Sequence, residues 1–328
     1  MENKLVKTII IPQKPTVDII ASIFILKKFG KEEFINIEDA SIDVWATIPD
    51  GENFESLLLN EGLLLLDISD SPFYCGNSNH TLSEIVAEYL DVKDDPTLAQ
   101  LLEYSRRDAG FSKGTMPDDP VNIIFSLSGI INALNKSFPN SPDKVTEIIL
   151  PLIVAYHDEQ QRRYHKFPEE VAKKIKNGQA VIFDTMQRDE KVRAIMIKSD
   201  NIGIPEYLKS RLGGKFDIVV SQSCKGYTSI LTRQSRHLDL RSLVALLRIR
   251  ETEKNNTLFI RDLARIMSDE EIDEIQEWHY IKDSNSIVNA TTVENLYIPP
   301  TQIPWQEIQK LVDLGISEKL LNPKEISH

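Results

Sequence analysis

Ile9-Ile10-Ile11-Pro12-Gln13-Lys14-Pro15-Thr16-Val17-Asp18-Ile19-Ile20-Ala21-Ser22 joins a β-branched apolar run to a helical pattern through a short polar loop. The run from Leu5 to Ile11 has the composition of a buried strand. From Ile19 to Phe29 the apolar residues Ile19, Ile23, Leu26 and Phe29 recur at helical spacing, and Gly30 is a natural stop. Asp18 stands at the start of this helix, where capping is its simplest role. Strand, loop and helix in this order form the opening unit of an open α/β sheet.

Further along, the sequence predicts a second strand over Ile42–Ile48, a turn at Pro49-Asp50-Gly51 and a short helix from Phe54 to Asn60. Leu63–Leu66 reads as a central parallel strand with Asp67 at its carboxyl end, the edge at which ligands bind in such sheets. Helical patterns follow at Leu82–Leu90, Pro96–Arg107, Val121–Asn135 and Lys144–Glu170. Thr81 and Glu84 have the spacing of a capping box. The expected fold class is therefore α/β, a Rossmann-like half with a parallel sheet and a helical layer.

A composition shift at residues 168–180 predicts a boundary, giving domains 1–172 and 178–328. The second, smaller half is expected to be mixed α/β. Its strands are placed at Ala180–Asp184, Val192–Lys198, Phe216–Gln222 and Ser229–Thr232, and its helices at Pro205–Leu212, Leu240–Arg250 and Ser268–Glu277. A closing helix is expected over Trp305–Leu314, and Trp278-His279-Tyr280 is expected to pack inside this half.

The chain has 328 residues, 41% hydrophobic and 27% charged, which is a globular composition. Two cysteines, Cys75 and Cys224, imply no disulfide framework and fit a reducing cytoplasm. No apolar run approaches the roughly 20 residues that span a bilayer, and Val6–Pro12 is too short for a signal peptide. The net charge of −12 argues against a global grip on nucleic acid. A local one remains open, because residues 225–250 hold Lys225, Arg233, Arg236, Arg241, Arg248 and Arg250 against Asp239 alone. Arg241 and Arg248 read equally well as a solvated helix face. His157, beside Asp158 and Glu159, is expected on a solvated face, and His80 in a loop before a capped helix.

Four segments in order resemble the signature of DHH phosphoesterases, of the RecJ-like superfamily. They are Ile9–Ser22, Gly62-Leu63-Leu64-Leu65-Leu66-Asp67-Ile68, Ser71-Pro72-Phe73-Tyr74-Cys75-Gly76 and Leu102-Glu103-Tyr104-Ser105-Arg106-Arg107-Asp108. Ser199-Asp200-Asn201, Arg211-Leu212-Gly213-Gly214 and Lys225-Gly226-Tyr227 look like a DHHA1-type substrate domain. The resemblance covers nearly the whole chain.

That family implies two divalent ions, usually manganese, that activate water and clamp a phosphoryl oxygen. Position by position, the histidine of its first motif falls on Pro12 and the first aspartate on Thr16. The Asp-His-His triplet falls on Tyr74, Cys75 and Gly76. Asp18, Asp67 and Asp108 survive as carboxylates, and with Cys75 they are the implied metal ligands, for one divalent ion (manganese or zinc) or none. Charge pairing of Asp108 to Arg106 or Arg107 is the competing role. The implied substrate contacts are Arg106, Arg107, Lys225, Gly226, Arg233 and Arg236, with Gly226 letting backbone amides approach a phosphate.

Five lost signature positions predict a degenerate phosphoesterase-like protein, weak or inactive in catalysis. It would bind a nucleotide, a short single-stranded oligonucleotide, a partner protein or a second copy of itself, and no membrane. The alternatives are an active phosphodiesterase working through one residual metal, and a purely structural subunit.

Overall fold

A computed structural model describes residues 4–76, 78–110, 124–255, 262–269, 272, 275–289 and 298–317. Its contacts divide the chain into two compact units, 1–162 and 163–328. The division precedes the stretch marked by composition, because Phe167 and the helix it begins pack on strands of the second unit. The second unit is as long as the first.

In the first unit, β1 (Lys4–Leu5) and β2 (Thr8–Ile11) replace the single strand expected over Leu5–Ile11. β1 pairs in parallel with β3 (Phe34–Ile35). β2 lies between β4 (Ser41–Val44) and β5 (Leu63–Leu65) in a parallel sheet of order β4-β2-β5. The central strand is therefore β2, and β5 is an edge among the described strands. Ile9 and Ile11 face one core with Leu64 and Leu66, while Ile10 faces a second with Leu57, Leu65 and Ile68. Burial on both faces explains why these strands are continuous apolar runs.

α1 (Val17–Phe29) is buried at every residue from Val17 to Leu26, and apolar there except at Asp18 and Ser22. α2 (Phe54–Ser56) runs into a π-turn, Leu57–Glu61, ended by Gly62 at φ +77°. A Cβ on Gly62 would stand 3.0 Å from the Leu5 carbonyl oxygen, so both conformation and space require glycine. α3 (Leu82–Tyr89), α4 (Ala99–Ala109), α5 (Leu127–Ser137) and α6 (Pro142–Gln161) form the helical layer. Residues 121–123, expected in the helix now seen as α5, lie outside the described residues.

The expected helix Lys144–Glu170 is interrupted by a π-turn at Arg162–Lys166, after which α7 (Phe167–Lys176) starts with Pro168 in its first turn. Among the described residues the second unit holds six strands: β6 (Ala180–Gln187), β7 (Glu190–Lys198), β8 (Ile218–Gln222), β9 (Thr228–Thr232), β10 (His279–Ile281) and β11 (Ser286–Val288). Their order is β10-β11-β9-β8-β7-β6, antiparallel except where β7 pairs with β8. β10 and β11, three residues each, escaped the sequence reading. α8 (Ile204–Lys209) lies in the β7–β8 crossover and, with Phe167, covers Ile195, Ile197 and Val219. α9 (Arg241–Asn255) and α11 (Trp305–Ile316) cover the other face, at Ala194, Met196, Val220 and Ile230. The alternation along β7 assigns successive residues to opposite cores.

α10 is a single turn, Leu263–Ile266. The described residues of the helix expected at Ser268–Glu277 are not helical, and 270, 271, 273 and 274 lie outside the description. Trp278 is buried, as expected, and donates to Oε2 of the buried Glu251 at 2.9 Å. Arg248 is 1% exposed and donates to the carbonyls of Trp278, Ile266 and Ser268. It is a buried strut of the fold and no part of a solvated face.

Candidate functional site

The loop after β2 is stapled to the helical layer. Asn135 donates to the Pro15 carbonyl at 3.0 Å, and Gln13 to that of Pro139 at 3.3 Å. Thr16, not Asp18, caps α1, accepting from the Ile19 amide. Asp18 caps a different helix. Its Oδ2 accepts from the Leu82 amide at 2.7 Å and its Oδ1 from the Ser83 amide at 2.9 Å, at the N-terminus of α3. That end already carries the Thr81–Glu84 capping box, so Asp18 satisfies two of the remaining amides. Burial pushes the Asp18 carboxyl above its ordinary 3.8 and the charge of Asp67 adds to this, against the lowering by the Ser83 and Leu82 bonds.

Asp67 follows Leu66 in the left-handed region, φ +55°, and its amide donates to the Phe73 carbonyl at 2.7 Å. That bond turns the chain so that Cys75 faces Asp67. The Cys75 thiol donates to Asp67 Oδ1 at 3.0 Å. Burial, then the bond to Asp67, push the thiol from 9.0 up to about 12, and the Asp18 charge contributes. Asp18, Asp67 and Cys75 are thus one electrostatic neighbourhood, held together by hydrogen bonds from the protein itself.

Asp108, near the end of α4, accepts a short hydrogen bond from the Ser128 hydroxyl on α5. Arg106 pairs with the buried Glu84 at 2.5 Å and with Glu103, and Arg107 pairs with Glu103 at 2.8 Å. The arginines reach Glu103 because residues three and four apart share a helix face, whereas immediate neighbours do not. Burial raises the Glu84 carboxyl, but the Thr81 amide and Arg106 outweigh it and hold the group below its usual 4.5. His80 is exposed and stands 3.9 Å from Glu84.

His157 is 1% exposed, contrary to the solvated face expected of it. Its ring lies 5.0 Å from that of Phe24 and 5.6 Å from that of Phe29, with Nε2 3.2 Å from the Thr97 hydroxyl. The sequence carried the signal: Val145, Ile149, Ile153 and His157 are spaced by four and share the buried stripe of α6.

The metal implied by the family resemblance does not fit these donors. Both oxygens of Asp18 face amides, Oδ1 of Asp67 faces a protonated thiol, and Asp108 faces a hydroxyl. Among the described residues no three His, Cys, Asp or Glu side chains are placed to hold an ion.

In the second unit the structure separates the basic residues. Lys225 and Gly226 sit in the hairpin before β9, while Arg233 follows its other end, five residues or roughly 16 Å away. Lys225 is exposed, and Gly226, at φ +90°, closes the hairpin with its own amide donating to the Ser223 carbonyl at 3.0 Å. Arg233 and Arg236 both reach the buried Asp217, the second at 3.3 Å. Asp217 also accepts from the Arg193 amide at 3.0 Å, so one carboxylate orients two guanidinium groups.

Arg233 lines a cavity of about 510 Å³ with Arg163, Lys209 and Glu206. The hydroxyls of Ser210, Thr232, Ser284 and Ser286 complete its polar wall. Arg163 and Lys209 escaped the sequence reading, since neither carries a local motif and each lies more than twenty residues from Arg233.

No family model matches the chain, and no curated protein does. Among solved structures the chain is similar to a pGpG-specific phosphodiesterase, PggH from Vibrio cholerae, at 12% identity and a TM-score of 0.24, over 74% of this chain and 88% of that one. It is also similar to an uncharacterized protein from Helicobacter pylori G27, at 11% identity and a TM-score of 0.24, over 94% and 98%. Among the described residues no helix is long and apolar enough to cross a membrane.

Proposed function

We propose that this chain is a degenerate phosphoesterase-like protein of the DHH type that binds a phosphate-bearing ligand, a nucleotide or short oligonucleotide, without metal-dependent hydrolysis. The observation that carries the reading is the cavity at Arg233. Arg163, Lys209 and Arg233 line one space there with Ser210, Thr232, Ser284 and Ser286, and the nearby carboxylates are taken up in pairs, Glu206 with Lys209 at 2.7 Å and Asp217 with Arg233, so that a phosphate would share these cations with them. A planar guanidinium held from behind by Asp217 has lost much of its freedom before a ligand arrives, which lowers the entropic cost of gripping two phosphate oxygens. The engagement of Asp18, Asp67 and Asp108 by protein donors supports the absence of two-metal chemistry.

The test is calorimetry with pyrophosphate, AMP and a short single-stranded oligonucleotide at two salt concentrations. Binding should weaken as salt rises, and Lys209→Ala and Arg233→Ala should each weaken it about tenfold, the worth of one charge-assisted hydrogen bond. Manganese should produce no hydrolysis above background. Robust turnover abolished by Asp67→Ala, or wild-type affinity in both cation variants, overturns the reading.

A further inference from the structure

A cavity in the first unit has no part in that reading. It measures about 660 Å³, within the ~300–1,000 Å³ of small-molecule sites. Phe34, Leu58 and Phe73 form its buried floor. Tyr89 rises from the floor, stacked on Phe34 at 5.9 Å and edge-on to Phe73 at 5.1 Å. Phe54 forms the facing wall, 6.3 Å from Phe73. Four aromatic rings around one open space offer faces and edges to a flat ring.

The polar groups around it are of two kinds. Lys4, Glu33 and Tyr89 satisfy one another: Lys4 donates to Glu33 at 3.2 Å and to the Tyr89 hydroxyl at 3.3 Å, and that hydroxyl donates to Glu33 at 2.8 Å. The cation is thereby neutralised, and the phenol's proton is spent. Glu55 and Asp70 at the rim make no hydrogen bond or ion pair among the described residues. Among the described residues the rim thus offers uncommitted acceptors over an aromatic floor and no uncommitted cation. Phosphate would be repelled there, and N–H donors attracted.

We infer that this cavity binds an uncharged planar heteroaromatic molecule bearing adjacent N–H donors, of the amino-substituted purine or pterin class, with its ring against Phe54 and Tyr89 and its N–H edge toward Glu55 and Asp70. A carboxylate accepts from two adjacent N–H groups at once, so the site selects on the edge of the ring as well as on its flatness.

The full-length protein titrated with guanosine, inosine and uridine by calorimetry tests this. Guanosine should bind saturably, and inosine, which lacks the exocyclic amine, at least fivefold more weakly. Glu55→Gln combined with Asp70→Asn, both on exposed residues, should remove the preference, and Phe54→Ala should weaken both purines. Tyr89→Phe should bind guanosine within twofold of wild type, because its hydroxyl is already committed. Lys209→Ala should leave guanosine binding unchanged, which separates this site from the phosphate cavity. Equal binding of guanosine and inosine, no saturable binding of guanosine, or an unaltered preference in the folded double variant overturns the inference.

Discussion

The neutral thiol of Cys75 donates a hydrogen bond to Oδ1 of Asp67 across 3.0 Å, and the negative charge of that carboxylate holds the proton on the sulfur. Removing that charge should be visible in the thiol. With its pKa near 12, Cys75 should alkylate slowly at pH 9. Asp67→Asn should lower that pKa part of the way back, since burial remains, and speed labelling by about tenfold per unit recovered. Mass spectrometry of iodoacetamide-treated protein measures it, with the exposed Cys224 as internal reference. An unchanged rate would show that Asp67 does not hold the thiol.

Asp18 joins α1 to α3 by two amide bonds. Asp18→Asn supplies one acceptor oxygen and turns an NH₂ toward the other amide. The expected loss is about 1–3 kcal/mol of stability, the cost of a buried unsatisfied donor. Urea unfolding gives the size, and hydrogen exchange at Leu82 and Ser83 locates it. Faster exchange confined to those amides is the expected pattern.

His157 should make the first unit sensitive to mild acid. Burial, then Lys28, lower its pKa below 6.5, against weaker raising by Asp95 and Asp158. The ring is therefore neutral when folded and protonates more readily when unfolded. Its stabilising contribution is complete above about pH 6.5 and is lost as pH falls through the lowered value. Thermal unfolding should show a decline in melting temperature between pH 7 and 5 that is shallower in His157→Gln, which cannot titrate. Parallel slopes in the two proteins would assign the decline to other groups.

Arg248 is buried against three carbonyls, and burial lowers its pKa from 12.5 to about 10 although Asp269 opposes this. It stays charged at neutral pH. Arg248→Lys keeps the charge and loses the planar fork, so a loss of about 2 kcal/mol or more is expected in urea unfolding of the full chain. Wild-type stability in the lysine variant would mean that the fork geometry contributes little.

By itself the sequence determined the features that depend on neighbours within a few residues. Apolar runs and periodicity placed β2, α1, most of the second unit's strands and the capping box at Thr81 and Glu84. It also determined that Pro12, Thr16, Tyr74 and Gly76 bring no carboxylate or imidazole to their loops in any fold. Tertiary structure decided where the remaining polar groups spend their bonds. Asp18 caps a helix 64 residues away, Arg233 leans on Asp217, and Arg163 and Lys209 meet Arg233 at one cavity. The physical reason is that a helix or strand is selected by local backbone and burial preferences, whereas a buried carboxylate or guanidinium is satisfied only by whichever donors and acceptors the packing brings within about 3 Å. His157 and Arg248 mark the limit: helical spacing assigns each a face, and only the packed neighbours show that this face is buried.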